Sequence, residues 1–149
     1  MNSAIRLAPV IDELPADIDL LRTEAACEGY RFLERLLAEW MSHEVRFAHE
    51  EEALLAAYVG GELAGIGGMT VEPARMGALR MRRFYVRRSL RRHGIGRKLA
   101  LALLEKARPL NCPVTVNAGT DEASAFWEAI GFLSAPQAGY THILHPWRS

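Results

Sequence analysis

The stretch "RRHGIGRKLALALLEKA", Arg91 to Ala107, decides the fold, because it starts a helix on two glycines inside a cationic run and then turns at once into an apolar helical pattern. Ile95, Leu99, Ala102 and Leu103 share one face of that helix, and Pro109 stops it. The first amides of a helix have no carbonyl partner within it and carry the positive end of its dipole, so they bind phosphate oxygens readily. At Gly94 and Gly96 the missing side chains let a ligand reach the backbone, and glycine permits the dihedrals of a loop that wraps an anion. A charge-assisted hydrogen bond contributes roughly 1.5 to 3 kcal/mol, so several amides together with Arg91, Arg92 or Arg97 would hold a diphosphate firmly.

The charge around this segment agrees. The chain has 18 basic and 18 acidic residues, a formal charge of zero that argues against a dedicated nucleic-acid binder. Yet no carboxylate lies between Glu72 and Glu105, while Arg75, Arg80, Arg82, Arg83, Arg87, Arg88, Arg91, Arg92, Arg97 and Lys98 all do. A solvated basic face with no ligand is the bland alternative. An RNA-binding module is a second one, disfavoured because stacking aromatics are sparse there and the glycine spacing suits a diphosphate better than a polyanion. A P-loop would need Gly-x-x-x-x-Gly-Lys-Ser/Thr, and a dinucleotide-binding turn would need a third glycine where Leu99 stands; both fail.

Outward from this segment, the 149 residues, half of them hydrophobic, read as a single domain over 1–149. Apolar runs such as "LALALL" fall far below the ~18 to 20 residues that span a bilayer, and "MNSAIRLAPVIDELP" lacks a charged lead and a hydrophobic signal segment, so a cytoplasmic protein with no membrane partner is expected. Cys27 and Cys112 show no metal-ligand spacing and are expected as buried, reduced thiols, with no metal; Cys112 has no histidine partner that would make it a nucleophile.

"AIRLAPV", Ala4 to Val10, reads as a first strand, and Pro15 as a first helical position followed by Asp17 and Asp19. Ile18, Leu21 and Ala25 keep helical spacing up to Gly29; Leu33, Leu36, Leu37, Trp40 and Met41 continue it, as a second helix or as one helix broken near Gly29. "ALLAAYV", "GG" and "ELAGIGGMTV" form strand, tight turn and strand. In "LRMRRFYV" the apolar phase slips: Leu79 and Met81 are odd, Phe84 and Val86 even. An extra residue at Arg82 and Arg83 points to a β-bulge, which re-aims side chains and leaves a main-chain group unpaired; the alternative is that Arg83 merely faces water at a strand end. In "TDEASAFWEAIGF", Thr120 to Phe132, Thr120 or Asp121 would cap a helix whose buried stripe is Ala123, Phe126 and Ile130, and Gly131 would end it.

Strand, two helices, a hairpin, a bulged strand, "R-x-x-G-x-G" at Arg91 to Gly96, helix, the strand "PVTVNAG" at Pro113 to Gly119, helix and two closing strands: this order resembles the GNAT superfamily of acyl-CoA-dependent N-acetyltransferases over nearly the whole chain. Ala123, Glu128, Gly131 and Phe132 match the pattern of that family's last helix. The resemblance implies an α+β (α/β mixed) GNAT fold, with a central mixed, mostly antiparallel sheet, splayed fourth and fifth strands and about four flanking helices.

It also implies acetyl-CoA as co-substrate, with the pyrophosphate on Arg91, Arg92, His93, Gly94, Ile95 and Gly96, Arg97 beside it, and the pantetheine arm along Phe84, Tyr85 and Val86. The acetyl group would pass directly to the primary amine of a small molecule or peptide, a bulge amide acting as oxyanion donor. A general base is needed, because a protonated amine is no nucleophile, and an acid helps the thiolate leave.

Two residues depart from the family. Trp127 replaces the tyrosine that often serves as the acid and would instead pack on the pantetheine or in the core; Thr120 stands where an asparagine often contacts the cofactor. Tyr140 is the candidate replacement acid, with solvent as the alternative, and His142 the candidate base if it points into the cleft, a lone strand histidine being more often structural; His43, Glu44, His49 and Glu50 are further candidate bases, and Asn117 is a further cleft-facing candidate. The missing tyrosine keeps open a non-catalytic acyl-CoA sensor of the same fold. Fourteen of the acidic residues lie at or before Glu72, which favours a cationic acceptor unless they merely solubilise helices. The family also admits a homodimer.

Overall fold

A computed structural model describes residues 4–146. Strand β1 (Ile5–Pro9) is followed by α1 (Ile18–Cys27) and α2 (Phe32–Met41), then the hairpin β2 (Ala53–Val59) and β3 (Glu62–Val71), β4 (Leu79–Val86), α3 (Ile95–Ala107), β5 (Val114–Val116), α4 (Asp121–Ile130), β6 (Leu133–Gln137) and β7 (Tyr140–Leu144). Seven strands make one sheet in the order β1-β2-β3-β4-β5-β7-β6. All neighbours are antiparallel except β4 and β5, which run parallel. The architecture is that of the GNAT fold expected from the resemblance. No helix among the described residues is long and apolar enough to cross a membrane.

Local chemistry sets most boundaries. Gly29, at φ 92, separates α1 from α2, so the helical pattern is two helices. Gly60 and Gly61 both have positive φ, 59° and 82°, the conformation that a tight two-residue hairpin turn requires. Pro15 does not begin α1: its carbonyl accepts from Ile18 N–H at 3.0 Å in a turn that leads into the helix. Met41 is 78% exposed rather than packed, because Leu33, Leu36 and Trp40 centre the buried face of α2. On α3 the buried residues are Ile95, Leu99, Ala100, Leu103 and Ala107; Ala102 lies at the margin of the face and Ala100 within it.

The sheet separates two cores. On one face α1 and α2 pack Leu21, Leu33, Leu36 and Trp40 against Leu54, Ile66 and Tyr85. On the other, α3 and α4 cover Met69, Met81, Val114 and Val116 with Leu103 and Trp127. β3 is buried along its whole length between its end residues, and its glycines make room for rings. A Cβ on Gly67 would lie 2.8 Å from Phe84, and one on Gly68 would lie 2.5 Å from Phe47. Neither thiol is buried as expected: Cys27 is exposed at the end of α1 and Cys112 half-buried before β5.

Candidate functional site

The phase slip in β4 is a bulge. Ile66 pairs with Tyr85 and Gly68 with Arg82, so the single residue Gly67 faces both Arg83 and Phe84. Arg83 takes φ 63, which sends its side chain to Glu39 of α2 at 2.7 Å and turns Phe84 to the opposite face. β4 and β5 share a ladder only from Leu79 to Met81 and from Val114 to Val116. Beyond Met81 the strands part, which is why β5 is shorter than "PVTVNAG" suggests: Asn117 to Gly119 have no ladder partner on β4. The resulting gap opens toward the start of α3.

There, Arg92 and Gly94 both have positive φ, 67° and 83°, so consecutive amides alternate in direction and form a concave donor surface. Gly94 is the left-handed N-cap of α3, and no side chain caps the helix. Nothing lies within 4 Å of where a Gly94 Cβ would stand, so the space over the first-turn amides is open. Gly96 serves differently. A Cβ there would meet the Phe126 ring at 3.3 Å, so this glycine lets α4 pack against the first turn of α3. Uncapped amides, open space and the exposed cations Arg92 and Arg97 suit a diphosphate. A polar cleft of about 580 Å³ adjoins them, lined by Cys27, Glu28, Arg88, Arg91, Arg92 and Glu122.

Arg91 stands in this cleft already engaged. Its guanidinium forks onto Glu28 at 2.6 and 2.9 Å, Nε donates to the Val86 carbonyl at 3.0 Å, and the group lies 5.2 Å over the Tyr85 ring. The Tyr85 hydroxyl donates to the same carboxylate at 2.6 Å. Arg91 most of all, with Tyr85, holds the Glu28 carboxyl below the usual carboxylate range against the opposing effect of burial; burial and the Glu28 hydrogen bond push the Tyr85 phenol well up. This junction ties the end of α1 to the anion loop through residues far apart in sequence, and no local pattern could have announced it.

The remaining predicted residues divide. Phe84 and Val86 are half-buried toward α3 and α4, Tyr85 is buried toward α1 and α2, and the Ile95 side chain is core, leaving its amide for the loop. His93 is exposed in the loop. The Thr120 hydroxyl accepts from Ala123 N–H at 3.0 Å as the cap of α4. Trp127 is 5% exposed, with its ring edge to face with Phe84, Phe126 and Phe132 at 4.9 to 5.2 Å. It is the buried residue of α4, whereas the expected stripe of Ala123, Phe126 and Ile130 only flanks it.

His142 does not point into the gap. It is 4% exposed on the α4 face, with Nε2 2.8 Å from Glu128 and Nδ1 2.7 Å from the Thr141 hydroxyl. Tyr140 is buried on the same strand face. His43 lies 2.6 Å from Arg46 in an exposed loop, and Glu44, His49, Glu50 and Asn117 are exposed. Four of the early carboxylates are taken up within the fold. Glu28 holds Arg91, Glu39 holds Arg83, Glu52 accepts from Val71 and His49 amides, and Glu72, 2% exposed, accepts from Thr115 and Ala74.

The family model of the Acetyltransferase (GNAT) family matches residues 18–132. Among solved structures, a protein from Exiguobacterium sp. 255-15 described as an acetyltransferase is 22% identical, with 95% of this chain and 93% of that chain covered and a TM-score of 0.86. A GNAT family acetyltransferase from Brucella melitensis, solved in complex with acetyl-CoA, is 18% identical over 96% of this chain and 88% of that chain, with a TM-score of 0.65. One from Elizabethkingia anophelis with acetyl-CoA bound is 13% identical over 95% and 97%, with a TM-score of 0.64. No curated protein matches the sequence.

Proposed function

The chain belongs to the GNAT acetyltransferase family, and on that premise we propose that it transfers an acetyl group from acetyl-CoA to a primary amine by direct attack. The observation that carries this reading is the uncapped start of α3, where Gly94 leaves the first amides open beside Arg92 and Arg97. Relatives of the same fold that hold acetyl-CoA support it. When bound, acetyl-CoA supplies a thioester carbonyl that an amine can attack and a thiolate that leaves.

The protein's own residues bind and orient. Amides from Gly94 to Arg97 take the diphosphate charge. The edge of Phe84 to Val86, left without a β5 partner, offers main-chain groups to an extended arm as an added strand would use them. One of those groups, the Val86 carbonyl, already accepts from Arg91. At the bulge the extra residue frees a main-chain amide to face the negative charge that develops on the carbonyl oxygen; such a preorganised donor is worth roughly 2.7 to 4 kcal/mol of barrier. Both faces of the sheet near this gap are packed with apolar side chains, which lower the local dielectric and strengthen that hydrogen bond.

One observation favours a second reading, a sensor that binds acyl-CoA without turning it over: Trp127 is buried and His142 is tied to Glu128, so neither offers a proton in the gap. Thiol release from acetyl-CoA with a panel of amines separates the two. Saturable, amine-dependent release supports the transferase, and tight CoA binding with no release on any amine supports the sensor.

A further inference from the structure

The face of β4 turned toward α1 and α2 carries more positive charge than acetyl transfer itself requires. Arg80 and Arg82 alternate on that face, and the bulge turns Arg83 the same way, so three guanidiniums crowd one strand. Among the described residues only Glu39 pairs with them, 2.7 Å from Arg83 and 3.9 Å from Arg82; the nearby buried carboxylate, Glu72, is taken up by the hydroxyl of Thr115, the β5 partner of Arg80, and by the Ala74 amide. Among the described residues Arg80 has no hydrogen bond and no carboxylate partner, and the Nε atoms of Arg80, Arg82 and Arg83 are all buried without an acceptor. The Arg83 side chain is only 9% exposed. Burial first, then the charges of Arg83 and Arg80, lower the pKa of Arg82 against the pull of Glu39 and Glu52. Buried guanidiniums short of counter-charge are costly to keep, and planar donor forks of this kind match a carboxylate with two parallel hydrogen bonds.

The surplus lies beside the reacting gap. Arg82 is the first residue past the last rung that β4 shares with β5, and it immediately precedes the bulge. Arg80 sits one rung back, opposite Thr115 on β5 and Thr70 on β3; the Thr70 hydroxyl is also buried without a partner. Gly68, opposite Arg82, gives its side-chain space to the Phe47 ring, which walls the face there. The other side is walled where the turn at Gly139 comes against Ala74.

We propose that the acceptor is an amine carrying a carboxylate close to its nitrogen, an amino acid, and that Arg80 and Arg82 bind this carboxylate while the nitrogen faces the bulge. The inference rests on the transferase reading and specifies its substrate class. The nitrogen bonds to the acetyl carbonyl carbon and the C–S bond breaks. Of the two protons that the ammonium gives up, one goes to solvent and the other to the departing sulfur.

Matched acceptors that share one side chain test this: an amino acid, its methyl ester, its decarboxylated amine and its aminophosphonate analogue, assayed by thiol release. The acid should exceed the ester and the decarboxylated amine by about tenfold or more in kcat/KM. Arg80→Met and Arg82→Met should each erase that advantage through the acceptor KM, with the KM for acetyl-CoA held within about twofold; Arg80→Gln serves if the methionine variant unfolds. A preference for the ester, the amine or the phosphonate, or an acid preference that survives in the variants, overturns the proposal. Calorimetry of the amino acid on the CoA-saturated protein gives a readout free of turnover. Carboxylate binding that depends on Arg80, with no amine ever acetylated, would sink the transferase reading and leave the site standing; acetylation of amines with no dependence on a carboxylate would sink the site alone.

Discussion

Gly94 separates the strain of the anion loop from its function. At φ 83 any residue with a Cβ is strained there by about 1 to 2 kcal/mol, yet the space around that Cβ is empty, so no clash adds to the strain. For a chain of 149 residues this predicts that Gly94→Ala melts roughly 2 to 8 °C lower and still unfolds cooperatively. The effect on CoA is much larger. A branched side chain in Gly94→Val would stand over the uncapped amides of α3 and deny a diphosphate at least two charge-assisted hydrogen bonds, about 3 to 6 kcal/mol, or roughly 10²- to 10⁴-fold in Kd. Calorimetry with coenzyme A at a temperature where both proteins are folded measures this, and a pantetheine thioester lacking the diphosphate should bind both alike. Wild-type CoA affinity in Gly94→Val, with the melting temperature lowered as expected, would refute the assignment of the loop. Gly96→Val should behave differently, because its Cβ meets Phe126, so packing of α4 on α3 suffers along with binding.

Other outcomes follow from the packed residues. Glu28→Gln should lower stability by about 1.5 to 3 kcal/mol near neutral pH, since it weakens the fork from Arg91. Because the folded carboxyl titrates below its ordinary 4.5, that contribution is complete above about pH 5 and disappears as the pH falls through the folded value; denaturant melts at several pH values should show the two proteins converging in acid. Trp127→Ala should cost about 3 to 5 kcal/mol, whereas Trp127→Phe should leave thiol release near wild type; a collapse of turnover with intact CoA binding in the phenylalanine variant would return Trp127 to the chemistry. Thr120→Ala should lose about 1 kcal/mol by uncapping α4, with no change in CoA affinity unless the hydroxyl also serves the ligand. His142→Asn should reduce stability and spare kcat, so an abolished kcat in a folded variant would mark His142 as catalytic.

What the sequence disclosed was whatever a few neighbouring residues decide. A phase slip over Arg82 and Arg83 points to an extra residue, and the register shows one. Two glycines between strand patterns, a threonine three residues before Ala123 and glycines where an apolar helix begins each constrain a single turn, and each stands where the pattern put it. The fate of long side chains was different, because it depends on partners far along the chain. Arg91 was expected to face a ligand, but Glu28, 63 residues away, holds it; Arg83 is claimed by Glu39 across 44 residues. For Trp127 and His142 the helical and strand periods named a face without saying what would cover it. Phe84, turned over by the bulge, draws Trp127 into the core, and Glu128, the next residue on α4, reaches His142.

The two kinds of information meet on β4. Its bulge is a local event readable from alternation, yet that event decides which guanidiniums share a face. Without the extra residue Arg83 would project with Met81 into the α3 and α4 core, where an unpaired charge is untenable. With it, Arg83 reaches Glu39, so that Arg82 shares the same carboxylate at 3.9 Å and Arg80, among the described residues, has none. On the proposed reading one inserted residue would do two things at the same place: free a main-chain donor toward the gap and concentrate positive charge on the side proposed for the acceptor. If the donor and the charge belong to one reaction, restoring regular alternation by deleting Arg83 should remove acetyl transfer and carboxylate selectivity together, while CoA still binds at Gly94; loss of only one of the two would show that the bulge does not couple them.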